Sequence, residues 1–135
     1  MTDEEARDRF AAAPIARLAT ADGRGRPHIV PITFAVRGET VVTVVDRKPK
    51  RSRNLKRLRN IVENPRVSVL VDHYEDDWGA LWWVRADGTA GVVEEESGIA
   101  DALPVLQDKY PQYRGDVPEG PLIVIAVDRW ASWSG

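Results

Sequence analysis

The sequence has no cysteine, which excludes a disulfide, a thiol nucleophile and any cysteine–metal cluster. Only two histidines occur, His28 and His73, far apart and outside any HExxH pattern. No GxGxxG follows a strand, and there is no P-loop. Ser/His/Asp and paired-carboxylate machinery are also missing. Asp72 and His73 are neighbours on one strand, so they point apart, and Asp76 and Asp77 read as loop or capping residues. No catalytic residue and no metal ligand is therefore assigned. No apolar run is long enough to span a bilayer. The opening MTDEEARDRF is acidic with no hydrophobic segment behind it, so a cytoplasmic chain without a secretory signal is expected. Net charge is −2. Without a general basic excess a nucleic-acid binder is not expected, and any anion site has to come from a local patch.

What is present fits one domain, residues 1–135, with ordinary apolar content of 43%. Thr2 and Glu5 form a capping-box pattern, and Ala6, Phe10 and Ala13 mark one face of a short helix that Pro14 closes. IARLAT, residues 15–20, reads as a strand, and Asp22-Gly23 as a hairpin turn. A second strand is read over 28–36, with Pro31 placing it at an edge or bulge. Residues 40–46 read as a third strand. Leu55, Leu58, Ile61 and Val62 recur at helical spacing, with Ser52 as a possible cap. Further strands are read over 66–73, 81–87, 89–93 and 122–127. A helix is read over 97–109, with Pro104 implying a kink. Short hairpins with single helical insertions predict an α+β, mainly β fold, a small barrel-like antiparallel sheet closed by helices.

The segment RKPKRSRNLKRLRN, residues 47–60, holds eight of the nineteen basic residues. It enters a predicted helix N-terminus, where free amides attract anions, and its guanidinium groups can grip phosphate oxygens in pairs. Lys50, Arg51, Ser52 and Arg53 are the phosphate candidates. Arg57 and Arg59 are placed toward solvent, a partner subunit or an anionic tail of a ligand. A solvated helix face and a nucleic-acid stripe are the alternatives. Five tryptophans are present. Trp82 and Trp83 are adjacent on a strand, so their rings face opposite sides of the sheet. Trp130 and Trp133 near the end could cover a planar ring or seal a dimer, and core packing is the alternative for each. A phosphate grip, aromatic rings and no acid–base set together leave redox chemistry to a bound cofactor.

Four stretches, ARLATADGRGRPHIVPITF, VDRKPKRSRNLKRLRNIVENPRVSVLVDHY, DWGALWWVRADGTA and DRWASW, give the chain a family likeness. It resembles the pyridoxamine-phosphate-oxidase-like FMN-binding split-barrel proteins, and within them the oxidoreductases that use the deazaflavin coenzyme F420. The resemblance implies a six-stranded antiparallel split barrel with short flanking helices, and a homodimer with cofactor sites at its interface. Lys50, Arg51, Ser52 and Arg53 would hold the phosphate, with Asn54 shaping the turn. Pro31, Thr33, Thr43 and Val44 would line the ring site. Trp83 would come from the second subunit, with Trp130 or Trp133 nearby. The implied activity is F420-dependent hydride transfer to a small organic acceptor, with an FMN-dependent reductase or a non-catalytic flavin or F420 carrier as the alternatives. The chain is shorter than true pyridoxamine-phosphate oxidases and lacks their full substrate-phosphate grip, so pyridoxal phosphate synthesis is not expected.

Overall fold

The computed structural model describes residues 1–45 and 55–135. The first helix, α1, spans Asp3–Ala12, and both halves of the predicted capping box form: the Glu5 amide donates to Thr2 Oγ1 at 3.1 Å, and the Thr2 amide to Glu5 Oε1 at 3.3 Å. Strand β1, Ala16–Ala21, and β2, Pro27–Ile32, make the hairpin that Asp22-Gly23 predicts. Next come β3, Ala35–Arg37, and β4, Thr40–Val44. Helix α2 is Lys56–Glu63, β5 is Arg66–His73 and β6 is Trp82–Val93. Helix α3, Glu96–Lys109, runs through Pro104, and β7 is Leu122–Ser134. No described helix is long and apolar enough to cross a membrane.

The sheet corrects the expected architecture. Among the described residues seven strands, not six, form one antiparallel sheet in the order β2-β1-β5-β6-β7-β4-β3, and it does not close into a barrel. The predicted strand over 28–36 is broken at residues 33–34, so its halves become the two opposite edges. The break is fixed by side chains from the far end of the chain. The Phe34 amide donates to Tyr110 Oη at 3.1 Å, and Thr33 Oγ1 and Tyr113 Oη are 2.7 Å apart. Thr43 Oγ1 donates to the Thr33 carbonyl at 2.6 Å. These bonds satisfy groups that a continuous strand would have used in its ladder. The expected turn at Gly88 is instead continuous strand, with the register against β7 shifting between Asp87 and Gly88 so that Asp128 of β7 is the extra, bulged residue. The last strand outruns its expected end at 127 and carries both terminal tryptophans.

Alternation along the strands assigns two faces. On the inner face, Leu18, Val67, Val69, Val84, Ala86 and Ile125 join Phe10 of α1 and Leu58 and Ile61 of α2 in the main core. Helix α2 has Leu55 as its N-cap with no side-chain cap bond, and Val62, expected on its apolar face, is exposed. Ser52, the predicted cap, lies outside the described residues. On the other face, α3 covers β3, β4 and the first half of β7 through Ile99, Ala102 and Leu106 against Val42, Val44 and Leu122. Neither cluster covers the outer face of β2, β1, β5 and the first half of β6.

Candidate functional site

The bare face is built row by row from the strand registers. Pro31, Arg17, Leu70, Arg85 and Ala131 lie side by side across β2, β1, β5, β6 and β7. The next row holds Ile29, Ala19, Ser68, Asp87 and Arg129. Beyond the first row, Asp72, Trp83 and Trp133 stand together. Small side chains at Ala19 and Ala21 leave a groove of about 520 Å³ between taller neighbours, bordered by Pro27, Arg66, Ser68, Arg85 and Asp87. That volume falls within the range of small-molecule and cofactor sites.

Charge in the groove is ordered. Arg85 grips Asp87 in a two-point pair, Nε to Oδ1 at 2.8 Å and Nη2 to Oδ2 at 3.2 Å, and Ser68 Oγ donates to the same Oδ1 at 2.7 Å. Burial pushes the Asp87 carboxyl upward, but the bonds from Arg85 and Ser68 outweigh it and hold the group below the ordinary carboxylate value. The Arg85 guanidinium also lies 5.6 Å from the ring centroid of Trp83. A fixed cation beside an indole offers one element for an anionic group and one for a flat ring. Sequence reading passed over Arg85, Asp87 and Ser68. The signal was there in LWWVRAD, where alternation sets Trp83, Arg85 and Asp87 on one face.

The predicted site residues fall in several places. Lys50, Arg51, Ser52, Arg53 and Asn54 lie outside the described residues. That segment leaves from Val45, whose amide donates to the Pro121 carbonyl at 2.8 Å, and rejoins at Leu55. Pro31 and Trp83 share the bare face but stand three strand spacings apart, roughly 14 Å. Thr33 and Thr43 are brought together and bond within the protomer, Thr43 and Val44 being buried. Trp130 is on the opposite face from Trp83. Its ring meets Phe10 edge-on at 5.0 Å, and Nε1 donates to Glu39 Oε2 at 3.1 Å. Trp133, by contrast, pairs directly with Trp83. Arg57, placed toward solvent, a partner subunit or an anionic tail of a ligand, is half-buried in the protomer, and burial lowers its pKa.

Comparison with known proteins follows this geometry. A family model described as pyridoxamine 5'-phosphate oxidase matches residues 2–134. No curated protein sequence matches the chain significantly. A conserved hypothetical protein from Mycobacterium tuberculosis has a similar structure, with TM-score 0.78 at 23% identity over 99% of this chain and 85% of its own. A FAD-binding protein from Mesorhizobium loti gives 0.74 at 20% identity, over 98% and 94%. The heme storage protein from Vibrio cholerae gives 0.75 at 18% identity, over 98% and 93%. At such identities the likeness is one of fold. These likenesses support the coarser expectation, a fold that flavin-binding proteins share, and not F420 in particular. Because the match spans all but the first and last residues, the chain belongs to the pyridoxamine 5'-phosphate oxidase family.

Proposed function

We propose that the chain binds a phosphate-bearing flavin, FMN, as a homodimer and serves as a flavin-dependent reductase. One observation carries this reading: a sheet face that no described helix covers holds a cofactor-sized groove with an ordered arginine, and a tryptophan pair stands on the same face beside it. Family membership supports it, as does the FAD-binding relative of the same fold. The distance between Pro31 and Trp83 argues for the dimer. One protomer cannot place both against one ring, whereas a second copy laid on the same face can supply its own Trp83.

The residues fit the group in their chemistry. Arg85 and Arg66 are donors to anionic oxygens, and Ala19 and Ala21 leave room for a flat body. Lys50, Arg51, Ser52 and Arg53 supply the phosphate grip in this reading, with Asn54 in the turn. A bound flavin supplies the hydride chemistry itself. The contribution of the chain is to bind, orient and shield from water. Replacing both Lys50 and Arg51 with alanine is expected to weaken FMN binding by at least about tenfold, the loss of roughly one charge-assisted contact. Unchanged FMN affinity at matched salt overturns the phosphate assignment. FMN binding without oxidation of the bound reduced flavin by any electron acceptor would make the chain a carrier.

A further inference from the structure

A second groove, of about 420 Å³, shares no residue with the first. It opens where two strands part. The β1–β5 ladder is only three pairs long and stops at Arg17↔Leu70, although β5 continues to His73 and β1 begins at Ala16. The end of α1 lies along this gap. Ala12, Ala13, Pro14, Ile15 and Val71 make an apolar floor, and Ile15 is exposed. Around it stand Arg9, Arg17, Asp72, His73 and Trp82.

We propose that this groove binds a small organic carboxylate with an apolar or aromatic body. Arg9 holds its guanidinium 5.4 Å from the Trp82 ring centroid, and the Glu5 carboxylate one turn earlier interacts with it electrostatically. Arg17 has a single contact to Asp72, at 3.3 Å, and both side chains are half-exposed. A guanidinium has five N–H donors, so both arginines keep donors for a ligand. His73 stacks on Trp82 with 6.1 Å between centroids and faces Glu75 at 2.5 Å, which holds the indole between ordered neighbours. The charge balance selects the anion. Asp72 and Glu75 stand close by, and the α1 C-terminus presents its carbonyls, so a doubly charged phosphate is disfavoured. A singly charged carboxylate meets two arginines in the planar geometry they match, while its body covers Ile15 and Pro14. The proposal does not rest on the flavin reading.

Calorimetric titration of the full chain with hexanoate, benzoate, hexan-1-ol and inorganic phosphate tests it. Both carboxylates are expected to bind saturably, with the alcohol and phosphate on the order of tenfold weaker or more. Arg9→Gln is expected to weaken the carboxylates by a similar factor, with the unfolding temperature and the FMN affinity unchanged, since Arg9 is on the surface. Arg17→Gln serves as the second variant. Absence of saturable carboxylate binding, phosphate binding as tight as hexanoate, or carboxylate binding that survives both substitutions overturns the assignment.

Discussion

A methyl group at Gly88 would sit 2.2 Å from the Ala126 carbonyl oxygen, an atom of the neighbouring strand that cannot rotate away. Position 88, where β6 meets the bulge of β7, therefore needs a residue without Cβ. Gly88→Ala is expected to cost about 2–3 kcal/mol and to lower the unfolding temperature by on the order of 10 °C in a thermal scan. Asp22 is a different kind of constraint. It is buried beneath the β1–β2 turn, where hydrogen bonds from the backbone and side chain of Arg26 hold its pKa at about 2. As pH falls toward 2 the unfolded chain takes up a proton that the folded chain still refuses. Stability is thus present above the ordinary aspartate value of 3.8 and is lost through the window down to about 2. Asp22→Asn is expected to flatten this acid limb in unfolding curves measured from pH 5 downward. Lys109 shifts in the same direction for a different reason. Its Nζ lies 3.7 Å from the Phe34 ring centroid, buried and without a hydrogen-bond partner among the described residues, and burial pulls its pKa down to about 8. Between pH 8 and the ordinary value of 10.5 the folded chain has released a proton that the unfolded chain retains, so stability rises with pH across that window. Lys109→Met is expected to remove that rise.

Helix α2 shows how elements are tied together around the segment that carries the proposed phosphate grip. Asn60, fully buried, donates from Nδ2 to Thr20 Oγ1 at 3.0 Å, and Glu63 accepts from the Gly23 amide at 3.0 Å. Lys56 Nζ lies 3.7 Å from Asp22. Three contacts thus staple the helix to one hairpin. Asn60→Ala leaves the Thr20 hydroxyl buried without this partner and is expected to cost about 1–3 kcal/mol in chemical denaturation. Elements with local signals were legible in the sequence. The capping box of α1, the span of β5 and the turn at Asp22-Gly23 all depend on residues within a few positions of one another. The break at Thr33 and Phe34 was not legible, because its partners Tyr110 and Tyr113 lie 76 and 80 residues away. Missing it hid that the two halves of the 28–36 strand become opposite edges of the sheet, while the six-stranded barrel was the expectation that the family resemblance carried. Trp82 and Trp83 were rightly set on opposite faces by alternation. Which of them faces the helices depends on register: Trp82 packs against the main core, and Trp83 pairs with Trp133 outside.

At the scale of the whole molecule, helices cover the inner face and one end of the outer face, and among the described residues no helix covers the rest of the outer face. Ile29 there is 63% exposed and Trp133 is 48% exposed. Exposed apolar side chains beside ordered charge mark a surface for association. Sedimentation at micromolar concentration is expected to show a dimer, and Ile29→Glu to shift it toward monomer with little change in protomer folding, since that side chain packs against nothing within its own sheet core. A wild-type monomer at that concentration would remove the second source of Trp83. The dimer and the phosphate grip meet in one experiment, equilibrium titration of the purified chain with FMN and with riboflavin, which differ only by the phosphate. The prediction is saturable FMN binding at one per protomer, with riboflavin weaker by at least about tenfold. Equal binding of the two, or binding of neither, would contradict it.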